Sequence, residues 1–427
     1  MRKGRWKLGN ILKATGKQLD ALAEETAQKL DWLGGFGKDS EGGVSRLLYS
    51  KEWVDGQNAL KEWMENEGLE ARFDEVGNLF GTLQGKNTDE TILTGSHVDT
   101  VKNGGRYDGA YGIVAGILAL KYLKEQFGQP LRNIEVVSMA EEEGSRFPYT
   151  FWGSKNIVGS AKREDVETIT DFDGVPFVEA MSNAGFGFRD ESKGTRNDLK
   201  AFVEVHVEQG SVLETEKKSV GVVHSIVGQR RYTVEITGEA NHAGTTPMGY
   251  RKDAVFAASQ MIVEIITMAK EAGDPLVATV GKIEVQPNIV NVVPGKAIFT
   301  IDVRHTDKEA IVSFTEKMTA RMNDISKEHV VETAIDMWMD ADPVPMDQTV
   351  VELIEKQCKE NGLNYKLMHS GAGHDSQIFA PVVPTAMLFV PSLKGISHNP
   401  AEFTEPADLA EGVKALIGAL YELGYKE

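Results

Sequence analysis

The chain has 427 residues, of which 41% are hydrophobic and 26% are charged, and its formal net charge is −18 at pH 7. This composition is typical of a soluble globular protein, and the length predicts two domains. The acidic charge disfavours a nucleic-acid partner, and no apolar run approaches the ~18 residues of a membrane-spanning helix, so we expect no membrane partner either. The only cysteine, Cys358, makes an intrachain disulfide impossible and fits a reducing, cytoplasmic location.

The first 18 residues contain basic residues and no acidic one. They lack the apolar core of a secretory signal and contain no serine, which argues against a targeting sequence. An additional amphipathic helix or an upstream start codon is the favoured interpretation of this segment.

Helices and strands alternate from about residue 18 to residue 222. Short β-branched runs predict buried strands, and apolar residues at helical spacing predict helices over residues 18–33, 51–68 and 110–127. This alternation is typical of a mostly parallel sheet that is covered on both faces. The same rhythm returns near the C-terminus, with a helix over 348–361, a strand over 384–390 and a helix over 408–424.

A different pattern separates these two regions. Strands over 227–236, 276–285, 296–303 and 331–339, with helices over 254–272 and 308–329, give the order β-α-β-β-α-β. That order is typical of the ferredoxin-like unit. We therefore predict one α/β domain, residues 1–222 and 341–427, that is interrupted by a smaller α+β domain, residues 223–340.

Residues that can bind metal stand at the ends of four predicted strands. In an open α/β sheet, the loops at the carboxyl ends of the strands converge on one crevice. Histidines and carboxylates that are delivered there from distant parts of the chain predict a metal site, and therefore an enzyme. The residues are His97, the triplet Glu141, Glu142 and Glu143, His206, and His398.

Two aspartates strengthen this interpretation. Asp99 lies two residues after His97 in an extended segment, so it can hold the far imidazole nitrogen of that histidine. Asp108 lies in a glycine turn that would let its carboxylate enter a crowded site and bridge two cations, although it could also simply cap the next helix. Within the acidic triplet, one carboxylate could bind metal while a neighbour acts as general base; a solvated acidic loop is the alternative.

The central region, residues 223–340, carries its own polar set, which includes His242, Asn288 and Asn291. Arg304 projects from the strand face opposite to its apolar neighbours. Its planar guanidinium suits a substrate carboxylate, and a surface salt bridge is the equally weighted alternative.

The sequence lacks the motifs of serine hydrolases and of nucleotide-binding proteins. The sequence contains no Gly-x-Ser-x-Gly elbow, no P-loop, and no Gly-x-Gly-x-x-Gly fingerprint between a strand and a helix. Cys358 lies within a predicted helix among polar residues, which makes it an implausible nucleophile. Metal-assisted hydrolysis remains.

Six motifs, GSHVDT, GGRYDG, EEEGSRF, HVEQG, NHAGTTPM and GISHNP, follow one another in this order. Together they resemble the di-metal amidohydrolases of the hydantoinase/carbamoylase group, a branch of the aminoacylase and carboxypeptidase superfamily. The resemblance runs from about residue 20 to the C-terminus. The EEGSRF and HVEQG forms are similar to the ureido-hydrolysing branch. The stretches SRFPYTFWGSKNI, GQRRY and SGAGHDSQIFAP are most similar to those of its members that act on allantoate.

The resemblance implies a homodimer whose catalytic domain is interrupted by a ferredoxin-like lid and dimerisation domain. It also implies two divalent ions, Mn²⁺ or Zn²⁺, in each subunit and a small ureido substrate that carries a carboxylate. The implied metal ligands are His97, Asp108, Glu143, His206 and His398, with Asp108 bridging the ions. The other implied site residues are Glu142 as general base, Asp99 as the partner of His97, His242 as a lid residue that stabilises the oxyanion, and Gln229, Asn291 and Arg304 as substrate-binding residues. Glu141 as base with Glu142 as ligand stays open as an alternative.

The expected reaction is therefore cleavage of the ureido C–N bond of allantoate to ureidoglycine, ammonia and carbon dioxide. An N-carbamoyl-L-amino-acid hydrolase or β-ureidopropionase would keep this chemistry with another substrate. A metallo-exopeptidase or aminoacylase fits the EEGSRF motif less well. A metal-free binding protein on the same fold would be expected to have lost ligands, yet every ligand position holds a competent residue.

Overall fold

The computed structural model describes residues 17–190 and 195–427. The basic N-terminal segment, for which an additional helix or an upstream start was predicted, lies outside the described residues as far as residue 16. Within the described ranges, no helix is long and apolar enough to cross a membrane. The chain divides into two compact units, one formed by the residues up to His224 with Met346–Glu427, and the other by Ser225–Pro345.

The described strands, in chain order, are β1 Glu70–Phe73, β2 Leu79–Leu83, β3 Asn87–His97, β4 Arg132–Met139, β5 Leu199–Val207, β6 Val220–Ile226, β7 Gly228–Thr237, β8 Asn241–His242, β9 Val277–Thr279, β10 Ile283–Gln286, β11 Val292–Val293, β12 Lys296–His305, β13 Glu332–Ala341, β14 Val344–Pro345, β15 Tyr365–Ser370 and β16 Thr385–Val390. The described helices are α1 Lys17–Gly34, α2 Lys51–Asn66, α3 Ala110–Phe127, α4 Trp152–Val158, α5 Phe177–Asn183, α6 Val212–Glu216, α7 Ala254–Ala272, α8 Lys308–Glu328, α9 Gln348–Glu360, α10 Ser376–Phe379 and α11 Pro406–Tyr425.

Side-chain caps define where several helices begin. Ser50 accepts the N–H of Trp53 at the start of α2, and Asp253, Asp307 and Asp347 accept backbone N–H groups at the starts of α7, α8 and α9. Such caps satisfy N–H groups that have no partner inside the helix. The helix predicted over 254–272, which Asp253 caps, has the bounds that the sequence indicated. The helix predicted over 110–127 also has its predicted bounds, although Gly109 gives it no side-chain cap.

The central sheet of the first unit has the strand order β1-β2-β4-β3-β5-β16-β6, with β15 also paired to β6. The pairs β4–β3, β3–β5 and β5–β16 are parallel, whereas the pairs β1–β2, β2–β4 and β16–β6 are antiparallel. The predicted α/β class is confirmed, with the parallel strands adjacent at the centre. Because these four strands run in the same direction, their carboxyl ends lie at one edge of the sheet.

Helices cover both faces of this sheet. Helices α3 and α11 pack against each other and against the strands on one face, and α1 packs against both of them. On the opposite face, Leu93, Val137 and Phe202 form a core with Ile157 of α4 and Phe379 of α10. The double cover explains the nearly continuous apolar runs of the parallel strands.

The second unit contains an antiparallel sheet of order β10-β12-β7-β13, with β9 also paired to β12. Helices α7 and α8 pack on it, and Val234, Met261, Phe299 and Met318 lie in the shared core. This is the predicted ferredoxin-like arrangement, with one correction. The strand predicted over 276–285 is two strands, because the chain leaves the ladder between β9 and β10.

The second unit ends later than the predicted bound at residue 340. Strand β13 extends to Ala341, and β14 then pairs with Ser225 and Ile226 at the beginning of the same unit. The start and the end of the unit are therefore hydrogen-bonded to each other. The assignment of the two units as catalytic and lid domains stays a prediction.

Candidate metal centre

The carboxyl ends of the four parallel strands bring the candidate ligands together. His97 is the last residue of β3, His206 lies near the end of β5, the triplet Glu141–Glu143 follows β4, and His398 follows β16. Asp108 lies in the loop between β3 and α3. The turn after it requires a glycine, because Gly109 has a φ of +62° and a Cβ there would lie 2.4 Å from Cε1 of His97.

Asp108 is at the centre of this arrangement. Its Oδ1 lies 3.6 Å from Nε2 of His97 and 3.2 Å from Nε2 of His206. Its Oδ2 lies 3.2 Å from Nε2 of His398, which is itself 3.4 Å from Oε1 of Glu143. Two groups of possible metal ligands therefore share this one carboxylate: His97, Asp108 and His206 form the first group, and Asp108, Glu143 and His398 form the second.

Oxygen acceptors at Nδ1 orient the imidazole rings of His97 and His206. Nδ1 of His97 lies 3.1 Å from the carbonyl oxygen of Asp99 and 3.3 Å from its Oδ1. Nδ1 of His206 lies 2.8 Å from the carbonyl oxygen of Val207. With Nδ1–H donated to such acceptors, Nε2 is the ring atom that faces Asp108, and it can bind a metal ion once it has lost its own proton.

Hydrogen bonds distinguish Glu141 from the other two glutamates of the acidic triplet. Glu141 is buried, and its carboxylate accepts the backbone N–H groups of Gly144 and Trp152. Glu142 and Glu143 instead line the cavity beside the histidines. Their own N–H groups donate to Oδ1 and Oδ2 of Asp99, at 2.9 and 3.2 Å. This geometry favours Glu142 over Glu141 as a residue that meets a substrate.

The cavity has a volume of about 470 Å³, which suits a small molecule. It lies entirely within the first unit. Its walls are formed by His97, Asp108, Glu142, Glu143, Thr150, Phe151, His206, Gln209, Ala372, Gly373, His374, Gly395, Ser397 and His398.

The electrostatics of the cluster fit divalent cations. Burial raises the pKa of Glu142 well above its usual range and that of Glu143 to about 7. Burial alone would also raise the pKa of Asp108, but hydrogen bonds with the three histidines hold it well below its usual value; the same contact raises the pKa of His398 to about 9. Buried carboxylates at this density need protons or cations to compensate them, and imidazole nitrogens with carboxylate oxygens are ligands for Zn²⁺ and Mn²⁺.

Gln229 and Arg304, two of the predicted substrate-binding residues, lie in the second unit and face each other across the β7–β12 pair. Both contact Asp302: Nε2 of Gln229 lies 2.7 Å from its Oδ2, and Nε of Arg304 lies 2.9 Å from its Oδ1. The ion pair that was the alternative for Arg304 is therefore present. Sequence reasoning missed Asp302, although its position two residues before Arg304 on one strand face could have revealed it.

The two remaining predicted residues are also neighbours in the second unit. His242 pairs with Val292 in the β8–β11 ladder, and the N–H of Ala243 donates to the carbonyl oxygen of Asn291 at 3.0 Å. His242 is exposed, and its Nδ1 accepts the N–H of Gly244. The predicted site residues thus form two groups, one in each unit.

Three further residues contact the candidate ligands of the first unit and were not singled out from the sequence. Nε2 of Gln209 lies 3.0 Å from Oδ2 of Asp108 and 3.2 Å from Oγ of Ser397. Glu402 accepts the N–H of Asp108. The HVEQG motif contains Gln209, and Ser397 belongs to GISHNP, so the motifs themselves were the available signal.

The sequence profile of Peptidase family M20/M25/M40 matches residues 93–422. The chain belongs to the M20/M25/M40 family. This chain is 55% identical over 405 residues to the allantoate amidohydrolase of Escherichia coli (strain K12), and the match covers 95% of this chain and 98% of that protein. It is 46% identical over 410 residues to the allantoate amidohydrolase of Bacillus subtilis (strain 168), covering 96% and 100%.

A solved structure supports the same placement of the M20/M25/M40 chain. An amidase of the hydantoinase/carbamoylase family from Burkholderia multivorans superimposes with a TM-score of 0.87 at 32% sequence identity. The match covers 93% of this chain and 97% of that chain. The resemblance that the six motifs indicated is confirmed.

Proposed function

We propose that this protein is a di-metal amidohydrolase that cleaves the ureido C–N bond of allantoate, giving ureidoglycine, ammonia and carbon dioxide in purine catabolism. The similarity to two allantoate amidohydrolases over nearly the full length carries the choice of substrate. The two ligand groups that share Asp108 support the chemistry. The proposal includes a cytoplasmic homodimer that acts on a small ureido substrate, with no nucleic-acid or membrane partner.

Two divalent ions, Mn²⁺ or Zn²⁺, belong to this proposal. His97, Asp108 and His206 would hold one ion, and Asp108, Glu143 and His398 would hold the other. When bound, such a pair of ions lowers the pKa of a water molecule towards neutrality and polarises a carbonyl group.

Glu142 is the proposed general base. Its side chain lines the cavity beside the proposed ligands His97 and Glu143, and burial raises the pKa of its carboxyl group well above the usual range, which makes it a stronger base than an exposed glutamate. Glu142 takes the proton of the attacking water and later gives it to the departing nitrogen. Asp99 supports this role because one carboxylate contacts Nδ1 of His97 and accepts the N–H of Glu142.

The second unit supplies the proposed substrate-binding residues. Gln229, Asn291 and Arg304 would bind the carboxylate and the ureido arms of the substrate. His242 would donate a hydrogen bond to the oxyanion, a contribution that is typically worth about 10²–10³ in rate.

A second candidate is an N-carbamoyl-L-amino-acid hydrolase or β-ureidopropionase. It is favoured by the likeness to an amidase of the hydantoinase/carbamoylase family. It uses the same ligands and the same base, so only the substrate distinguishes it. A metallo-exopeptidase or aminoacylase ranks below it because the EEGSRF motif resembles the ureido-hydrolysing branch.

The test is ammonia release by purified protein that has been stripped with a chelator and reloaded with Mn²⁺ or Zn²⁺. Allantoate, N-carbamoyl-L-amino acids and dipeptides are compared at equal concentration, with peptide cleavage followed by free amine. Metal-dependent release from allantoate, well above that from the carbamoyl amino acids, is the expected result. Turnover of carbamoyl amino acids alone would select the second candidate, and cleavage of dipeptides alone would reject both.

A further inference from the structure

Glu402 is a buried carboxylate that takes no part in the proposed chemistry. It follows His398 by four residues and is only 3% exposed. Its Oε2 accepts the N–H groups of Tyr107 and Asp108, at 2.9 and 3.2 Å. Its Oε1 lies 3.0 Å from the hydroxyl oxygen of Ser397. Both oxygens are therefore used, and by two different loops.

These two loops carry two ligands of the same proposed ion. One loop presents Asp108, and the other presents His398 directly after Ser397. The hydroxyl oxygen of Ser397 lies 3.0 Å from Glu402 and 3.3 Å from Oδ2 of Asp108. Its single proton is best placed for Glu402, while the amide of Gln209 donates to Asp108. Glu402 thus ties the main chain at Asp108 to the side chain next to His398.

The surroundings of Glu402 are shaped to admit this carboxylate. A Cβ at residue 105 would lie 1.9 Å from Oε2 of Glu402, so only Gly105 leaves room for it. His398 has a φ of +54°, a left-handed conformation that residues other than glycine rarely adopt. A loop in that conformation persists only where its neighbours hold it, and Glu402 supplies such a contact.

We propose that Glu402 is a positioning residue for one of the two ions: it sets the spacing of Asp108 and His398 for the group Asp108, Glu143 and His398. The other group shares Asp108 with this one, but its two histidines are held by other residues. Its histidines lie on strands β3 and β5 and are held by Asp99 and Val207. Replacement of Glu402 should therefore weaken one ion more than the other. This inference rests on the proposed di-metal centre, and it does not require allantoate to be the substrate.

The experiment measures metal binding directly. Chelator-stripped wild-type protein, E402A and E402Q are titrated with Mn²⁺ and with Zn²⁺ by calorimetry, and the ions that remain after dialysis are counted by elemental analysis. We expect two ions in the wild type. In E402A the ion of the group Asp108, Glu143 and His398 should bind about 10–100-fold more weakly, the usual effect of removing a group that orients a ligand. The other ion, whose group shares only Asp108 with this one, should weaken less. E402Q should lie between them, because its amide oxygen can still accept the two N–H groups.

Glu135 provides a matched control. It is a buried carboxylate in the middle of β4 that pairs with Arg72 and Arg196, and it is not among the residues that line the cavity. E135A removes a buried carboxylate of the same unit, and both ions should still bind with wild-type affinity. G105A is the second test of the same contact, because its Cβ displaces Glu402 without removing a charge. It should reproduce the selective loss even if E402A does not fold.

Each outcome decides the inference. Two ions of wild-type affinity in E402A or in G105A would overturn it. An equal weakening of both ions, or a similar loss in E135A, would also overturn it, since Glu402 would then serve general stability. A wild-type protein that binds fewer than two ions would remove both the di-metal centre and this inference. A wild type that binds two ions but leaves allantoate intact would reject the proposed substrate only.

Discussion

Replacing Glu142 with glutamine tests the assignment of the general base. The side chain lines the cavity, and its backbone N–H, which a substitution leaves in place, donates to Asp99. Glutamine has nearly the same shape as glutamate, so the fold and the ligand atoms of His97 and Glu143 should be preserved. An amide cannot accept the proton of the attacking water. The substitution therefore removes proton transfer and little else.

General acid–base catalysis typically contributes about 10²–10⁴ in rate. At about 1.4 kcal/mol for each tenfold change, E142Q should raise the activation free energy by roughly 3–5 kcal/mol. The assay is kcat for ammonia release under saturating Mn²⁺, with the bound ions counted in the same preparation. We expect two ions, as in the wild type, and a kcat that is lower by at least about 10².

E141Q is the matched control, because it changes the adjacent carboxylate by the same atoms. Glu141 accepts the N–H groups of Gly144 and Trp152, and burial raises its pKa well above the usual range. A glutamine oxygen can still accept a hydrogen bond there, so we expect kcat within about tenfold of the wild type, far less than the loss in E142Q. A large loss in E141Q with near-normal E142Q would transfer the role to Glu141. Near-normal turnover in both variants would refute the mechanism.

Three further predictions concern the metal ions, Arg304 and Asp198. Removal of divalent ions by a chelator should abolish turnover and lower the melting temperature, and Mn²⁺ or Zn²⁺, but not Mg²⁺, should restore both. A melting temperature that responds to no ion would contradict the metal centre. R304A should raise KM for acidic substrates with a smaller change in kcat. R304K should recover little, because lysine cannot reproduce the planar pairing that Arg304 makes with Asp302. An unchanged KM in R304A would exclude Arg304 as a substrate-binding residue. For Asp198, burial alone would raise the pKa, but the hydrogen bond with Arg196 lowers it to about 2. A carboxyl group whose folded pKa lies below its unfolded value of about 3.9 stabilises the fold above that value and loses the effect as the pH falls towards 2. Urea unfolding should therefore show D198N to be less stable than the wild type at pH 7, with the difference shrinking at pH 3; a constant difference would contradict the ion pair.

Much of the fold could be predicted because periodicity and caps act locally. Helix α7 begins at the Asp253 cap, and its apolar positions face the β-sheet of its unit, so its bounds were readable from the sequence. The single strand predicted over 276–285 was wrong. Gly281 was a local sign of an interrupted strand, and the register against β12 shows that the ladder is broken at residues 280–282.

The candidate ligands were predictable for a topological reason. Parallel strands with intervening helices place their carboxyl ends at one edge, so residues as distant as His97 and His398 meet without any sequence signal that links them. The same reasoning could not choose between Glu141 and Glu142. Both follow β4 directly, and their directions are set by hydrogen bonds to Gly144, Trp152 and Asp99 that the pattern of the strand does not contain.

The final positions of the ligands depend on one arrangement that occurs twice. Asp99 accepts two successive N–H groups, those of Glu142 and Glu143. Glu402 likewise accepts two successive N–H groups, those of Tyr107 and Asp108. In each case a buried carboxylate holds the backbone of a distant segment that presents a proposed ligand or base. Strand ends bring the loops to one edge of the sheet, but a loop alone could not hold several like charges at short distances. A carboxylate bound to consecutive N–H groups fixes the main chain on which those charges stand, and so the precision of the centre depends on contacts between residues that are far apart in the sequence.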